Sequence, residues 1–244
     1  MQDRSDPPRP VSRETSGRDA DAFRKAAAAL GVGVSRETLE RLAVYVALLV
    51  RWQKRINLIG GSTVAEIWNR HVLDSAQLAP LLPPGPCLLT DLGSGAGFPG
   101  LVIAALRPDI TVRLVEADAR KAAFLMQAAR EMRLPQSPTV TVARIESIPP
   151  IGADVVTARA LAPLPQLLAW ADRHRSPTGF CLFHKGKGWR SELTEAMKTG
   201  DIAYDVFPSV TDRDAVLLRL PAAPPADFRD RQPEGRRRQD DDGD

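Results

Sequence analysis

The stretch LLTDLGSGAGFPGLVIA, residues 88–104, brings together residue types that work through backbone amides and a carboxylate. An apolar run ends at Asp91, a glycine-rich turn follows, and a second apolar run begins at Gly100. In open parallel sheets, ligands bind beyond the carboxyl ends of the strands. Glycines in such a turn reach positive φ and let the backbone approach a ligand closely. Glu116 follows 25 residues after Asp91, at the end of the next apolar run. A carboxylate there can accept hydrogen bonds from two ribose hydroxyls. Loop and acid together describe a site for an adenosine-containing cofactor.

Two cofactors compete for that description. Gly93, Gly95 and Gly97 spell G-x-G-x-G, the S-adenosylmethionine pattern, while Gly95, Gly97 and Gly100 satisfy the dinucleotide fingerprint G-x-G-x-x-G. Three features favour the methyl donor. Asp91 ends the first strand directly, the strand series closes in a hairpin, and no hydride-transfer site emerges. The only tyrosines, Tyr45 and Tyr204, have no lysine four residues on. An NAD(P)-dependent oxidoreductase remains the alternative, and cofactor titration separates the two.

The elements that must position these residues fall into two sections. Ahead of residue 87 the patterns are helical: Asp21 to Leu30, a helix capped by Ser35 and running to about Arg55, and one opened by Thr63 and Glu66 in capping-box spacing, ending near Leu82. Beyond it, strand patterns at Cys87–Asp91, Thr111–Glu116, Thr139–Ala143, Asp154–Ala158 and Phe180–His184 alternate with helical ones at Gly100–Leu106, Arg120–Arg133, Leu164–Arg173 and Trp189–Met197. Apolar strands separated by helices indicate a parallel sheet covered on both faces. Tyr204–Phe207 and Ala215–Leu220, joined by a short polar turn, read as a closing antiparallel hairpin. The expected organisation is a disordered tail over 1–20, a helical lobe over 21–86, a Rossmann-like seven-stranded α/β methyltransferase core over 87–220, and a second disordered tail over 221–244.

Composition sets outer bounds. The longest apolar run, Leu42 to Val50, has nine residues, against the roughly 20 that a membrane span needs. The N-terminus lacks the apolar segment of a secretory signal. Cys87 and Cys181, the only cysteines, sit in apolar runs and read as reduced core thiols of a cytoplasmic protein. The two tails together hold 9 basic against 12 acidic groups, so the body over 22–226 carries +6 against +3 for the whole chain. That balance is compatible with a polyanionic partner. Arg236–Arg238 is followed by an acidic run that cancels its field, so it reads as solvated tail.

Several segments then converge on one resemblance. RWQKRINLIG (51–60), RHVLDSAQLAPLL (70–82), DLGSGAGFPGLVIA (91–104), RIE (144–146) and TARALAPLPQLL (157–168) resemble the bacterial glucose-inhibited division protein B family. Its members are 16S ribosomal RNA guanine-N7 methyltransferases, and the likeness runs from about Arg36 to Leu220. The resemblance implies S-adenosyl-L-methionine as cofactor, and 16S ribosomal RNA or the small ribosomal subunit as partner, with no membrane. It implies cofactor contacts at Gly93, Gly95, Gly97, Phe98, Glu116, Ile145 and Glu146, with Arg159 on the side shared by cofactor and target base. Ile145 stands where relatives often carry alanine or valine, a harmless change if its backbone makes the contact. A monomer is expected. A non-catalytic RNA-binding scaffold is a further alternative, tested by methyl incorporation.

The residue inventory suits attack by guanine N7, whose lone pair is free at neutral pH and needs no general base. No Asp/Asn-Pro-Pro-aromatic run follows the fourth strand, and no cysteine stands where a covalent nucleophile would. As N7 is methylated the base becomes cationic. Arg159 is therefore expected to order a cofactor carboxylate or RNA phosphate, or to bond guanine O6, against the plainer reading of a surface salt bridge. His71 and Asp74, and Arg70 and Asp74, share a helical face and read as a surface ion pair that orients the helical lobe. His174 and His184 are isolated, so no metal site is expected. In HKGKGWR (184–190), Lys185, Lys187 and Arg190 are expected to grip RNA phosphates. Trp189 has two readings, base stacking and core. Arg51, Lys54 and Arg55 either extend the RNA surface or form a solvated face.

Overall fold

The computed structural model describes residues 13–221; residues 1–12 and 222–244, including Arg236–Arg238, lie outside it. Helix α1 (Arg13–Ala29) begins ahead of the boundary expected at residue 21. Its inner positions Ala20, Phe23 and Ala27 are buried, so the apolar stripe reaches back into the segment expected to be disordered. Helix α2 (Arg36–Gln53) starts where expected, with the Ser35 hydroxyl accepting from the Thr38 N–H, and buries Leu42, Tyr45, Val46, Leu48 and Leu49.

The third helix departs from expectation. In place of one helix from Thr63 to Leu82 there are a 3-10 stretch (Gly61–Glu66), a π-helical turn (Trp68–Leu73), a single α turn α3 (Asp74–Ala76) and a 3-10 turn (Ala79–Leu81). The capping box does not form: the Thr63 hydroxyl instead donates to the Gly60 carbonyl at 2.8 Å. π turns recur at functional sites, and this one carries His71.

The sheet begins with β1 (Leu88–Leu92), followed by α4 (Gly100–Leu106), β2 (Thr111–Glu116), α5 (Ala119–Met132), β3 (Thr139–Val142) and β4 (Ala153–Arg159). Then come α6 (Leu164–His174), β5 (Arg175–Lys185), α7 (Trp189–Met197), β6 (Asp205–Pro208) and β7 (Val216–Pro221). The order across the sheet is β3-β2-β1-β4-β5-β7-β6. The first five strands are parallel, and β7 runs antiparallel between β5 and β6. β5 starts at Arg175, five residues ahead of expectation, through a register shift opposite Ala153 and Val155.

Both faces are covered. On one face α2, α4 and α5 contribute Leu42, Tyr45, Leu101 and Phe124 to a single core, which the N-terminal helices share with the sheet. On the other, α6 and α7 bury Leu164, Leu167 and Trp189 against Val156 and Phe183. This packing leaves the carboxyl edge of β1, β2, β4 and β5 open. Asp91 pairs there with Leu114 and Thr157, and Arg159 with His184.

Candidate active site

The glycine loop is shaped by what a side chain would strike. Gly97 has φ +93°, and a Cβ there would lie 2.8 Å from Leu101 Cγ and 3.1 Å from Leu125 Cδ2. Only glycine turns the loop onto α4 at that point. Gly93 has φ +62°, and a Cβ would run into the Leu161 side chain. Gly100 lets α4 pack close on the sheet: a Cβ there would run into the Leu114 side chain and lie 3.1 Å from Asp91 Cβ. From outside, the buried Tyr45 hydroxyl donates to the Ala96 carbonyl at 2.5 Å, so α2 pins the loop.

A cavity of about 550 Å³ opens between this loop and the ends of β2, β3 and β4. That size suits a nucleoside cofactor. Gly93, Gly95, Phe98, Glu116, Ile145, Glu146 and Arg159 all line it. Gly97 does not; it is buried behind the loop, so its part is conformational rather than contact, which corrects the expectation. Both Glu116 oxygens are engaged, Oε2 by the Gly95 N–H and Oε1 by the Asp118 N–H, each at 2.8 Å. A carboxylate has about four acceptor positions, so two remain for a diol. Apolar walls from Phe98, Val115, Ala143 and Ile145 suit a flat base. The donor set thus fits S-adenosylmethionine: backbone and acid for ribose, apolar sides for adenine, a guanidinium at the far end.

Asp91 is not in that cavity. It is fully buried beneath the loop, where Oδ1 accepts from the Thr157 hydroxyl at 3.0 Å. Burial pushes its carboxyl up to about 7, opposed by hydrogen bonds of which Thr157 gives the largest.

Arg159 stands in a partition. A second cavity, also about 550 Å³, lies on its other side, walled by Asp74, His184, Glu192 and the β6–β7 turn. His71, Arg159, Ala160 and Leu161 line both cavities. Ala160 has φ +50°, a left-handed conformation that costs a non-glycine residue about 1–2 kcal/mol. That strained residue turns the chain at the end of β4 directly after Arg159.

The surface-salt-bridge readings are corrected here. The Arg159 side chain is 18% exposed and its Nη1 lies 3.1 Å from Asp74 Oδ2, itself 14% exposed. Arg70 does not pair with Asp74 but with Asp212 of the β6–β7 turn, at 3.2 Å. His71 stacks on Phe98, with ring centroids 5.0 Å apart, and its Nδ1 meets Arg159 Nη2. A guanidinium only donates, so Nδ1 accepts. The ring proton therefore sits on Nε2, which donates to Thr63 Oγ1 at 2.8 Å. Burial, then the Arg159 charge, lowers the imidazole pKa to about 3 and holds the ring neutral.

The basic run divides. Lys185 is buried, pairs with Glu192 at 2.5 Å and donates to the Ala162 carbonyl, so it is structural rather than a phosphate grip. Strand alternation puts Lys185 inward, while Lys187 in the turn after it and Arg190 at the start of α7 are exposed. Trp189 is buried in the core with the Arg190 guanidinium 4.3 Å from its ring centre, which settles its two readings in favour of core. Arg51 pairs with Glu131 at 3.2 Å, and Lys54 and Arg55 are exposed. Among the described residues there is no group of three or more His, Cys, Asp or Glu side chains placed to hold a metal ion. Nor is any helix long and apolar enough to cross a membrane. Lys121 and Trp170, which no motif marks, also line the first cavity, as does Arg144 of the RIE segment, whose neighbours alone were expected there.

A parallel sheet that ends in an antiparallel hairpin, with an adenosine-shaped cavity over its glycine loop, places the chain among S-adenosylmethionine-dependent methyltransferases. Solved structures share the fold. The ribosomal protein L11 methylase of Lactobacillus delbrueckii subsp. bulgaricus matches with TM-score 0.51 at 16% identity, over 62% of this chain and 80% of that one. The CurJ carbon methyltransferase matches with TM-score 0.52 at 13% identity, over 85% and 71%.

The sequence narrows the class. The family model described as GidB, rRNA small subunit methyltransferase G, matches residues 38–211, and the chain belongs to that family. A Paramagnetospirillum magneticum protein named Ribosomal RNA small subunit methyltransferase G is 56% identical over 189 residues, spanning 77% of this chain and 90% of that one. A Cereibacter sphaeroides protein of the same name is 53% identical over 193 residues, spanning 78% and 93%.

Proposed function

We propose that this protein transfers a methyl group from S-adenosylmethionine to N7 of a guanine in 16S ribosomal RNA. It acts as a cytoplasmic monomer, on the RNA alone or in the small ribosomal subunit. The observation that carries this reading is the pair of cavities meeting at His71, Arg159, Ala160 and Leu161. One matches a nucleoside cofactor, and the other opens beside it with room for an unstacked base.

S-adenosylmethionine supplies a methyl group already activated by its sulfonium. The protein's task is then to position two reactants, which dominates the rate gain in such transfers. Gly93, Gly95, Phe98, Glu116, Ile145 and Glu146 hold the cofactor, with Arg159 at its methionine end. N7 presents a lone pair, so no proton has to leave before attack. The neighbouring groups agree. His71, with a pKa of about 3, is a feeble base at neutral pH. Cys181, whose thiol burial pushes up to about 12, lies in the core and lines neither cavity. Exposed Lys187 and Arg190, with Lys54 and Arg55, supply positive charge for the RNA backbone.

The decisive experiment maps N7-methylguanine in 16S ribosomal RNA from cells with and without the protein. Loss of one mark on deletion, restored by the purified enzyme with tritiated S-adenosylmethionine, is the expected result. An unchanged map with no incorporation would leave a binding scaffold.

A further inference from the structure

The Arg159 guanidinium is held from both sides. On one side Asp74 Oδ2 lies 3.1 Å from Nη1. On the other, Nη2 donates to His71, whose far nitrogen donates to Thr63, whose hydroxyl donates to the Gly60 carbonyl in the wall of the first cavity. Asp74 is in turn held by three groups. Its Oδ1 accepts from the Thr211 hydroxyl at 2.7 Å and from Gln77 Nε2 at 2.8 Å, and its backbone carbonyl lies 2.8 Å from His184 Nε2 of β5. Despite the short distance, the Nη1 N–H bonds are not aimed at the carboxylate: Nη1 is buried without an aligned acceptor. The carboxylate therefore acts on the guanidinium through its charge and not through an aligned hydrogen bond.

Charge makes the arrangement pointed. Methylation turns guanine into a cation, and a bare guanidinium in the partition would oppose that change, more strongly in a dry site than in water. A carboxylate in contact makes the pair nearly neutral while leaving its N–H groups able to donate.

We propose that Asp74 is a positioning and charge-compensating residue for methyl transfer: it fixes Arg159 between the two cavities, so that the exposed part of the guanidinium can donate to guanine O6 while N7 faces the cofactor and the developing cation meets no net positive charge. The proposal rests on the methyltransferase reading above. O6 and N7 are adjacent acceptors on one edge of the base, so a donor on O6 fixes where N7 points.

The consequence differs from that of a structural ion pair. Replacing Asp74 by asparagine leaves a more positive site, which binds RNA at least as well, yet slows the step in which positive charge appears on the base. With full-length protein, tritiated S-adenosylmethionine and small subunits from cells lacking the protein, the expected result for Asp74→Asn is a kcat at least tenfold lower. KM for the subunit should be unchanged or lower, and the cofactor Kd within twofold of wild type. Added formate should restore at least part of the kcat of Asp74→Ala. A kcat within twofold of wild type, or a loss that merely follows cofactor affinity, overturns the proposal. Should either variant fail to fold, Thr211→Val is read instead, with kcat severalfold lower at unchanged cofactor Kd expected and unchanged kcat overturning it. An inactive wild-type enzyme would strike the methyltransferase reading itself, before any variant is compared.

Discussion

Asp91 gives the structure a titration that can be measured. Its carboxyl is fully buried beneath the cofactor loop and burial raises its pKa from 3.8 to about 7. At 1.36 kcal/mol per pKa unit, that difference amounts to about 4 kcal/mol between the protonated and ionised protein. An acid whose pKa is higher folded than unfolded contributes stability in its protonated form. That stability is complete below the unfolded pKa near 3.8 and is lost as pH rises through about 7. At pH 5 the unfolded chain is already ionised while the folded one is not, so about 3 kcal/mol of the loss falls between pH 5 and pH 9. Asp91→Asn removes the titration. The amide oxygen can still accept from Thr157, while the amide nitrogen takes the place of Oδ2, which has no partner. That buried donor costs about 1–3 kcal/mol, but equally at every pH. Urea unfolding at pH 5 and pH 9 is therefore expected to show wild type losing about 3 kcal/mol more than the variant. Every other titrating group is common to both proteins and cancels in the comparison. Parallel pH profiles would refute the account of Asp91 as a carboxyl kept neutral by burial.

Three further outcomes follow from particular residues. Gly97→Ala forces a side chain into Leu101 and Leu125 at φ +93°; it should lower stability by about 3 kcal/mol and weaken cofactor binding in calorimetry, although Gly97 does not line the cavity. Ala160→Gly relieves a left-handed alanine at φ +50°; after the entropic cost of glycine, unfolding should show a gain of about 0.5–1 kcal/mol, with a lower kcat because the turn that aims Arg159 is loosened. In the HKGKGWR segment the lysines should separate: Lys185→Ala breaks the pair with Glu192 and should cost about 3 kcal/mol in unfolding, while the double change Lys187→Ala, Arg190→Ala should leave stability unmoved and lower the salt slope of RNA binding by about two.

The pattern of what the sequence disclosed follows the range of the interactions. Strand and helix positions depend on local periodicity, and Thr111–Glu116, Gly100–Leu106 and Trp189–Met197 stand as their patterns predict. The glycine loop and Glu116 are legible for the same reason, since a strand–turn–helix unit writes its chemistry in adjacent residues. Failures come where a short-range rule meets a long-range partner. Thr63 and Glu66 satisfy capping spacing, but the Thr63 hydroxyl is taken by Gly60 and His71, and the helix opens into a π turn. Arg70, His71 and Asp74 satisfy helix-surface spacing, yet their partners are Asp212, Phe98 and Arg159.

Asp74 marks the limit most sharply. Its neighbours in space come from the end of β4, the end of β5 and the β6–β7 turn, 85 to 137 residues away along the chain, and the sequence ties none of them together. One signal was nevertheless present. A histidine and a carboxylate three residues apart, set among Val72, Leu73, Ala76 and Leu78, are expensive to bury unless they are paired. Because α1 and α4 pack on that segment, both groups are drawn inward, and buried charge requires a partner of opposite sign. Arg159, at the end of the fourth parallel strand, is the cation that meets it. The cost of burying the carboxylate, and not the spacing of a helix face, sets that pairing.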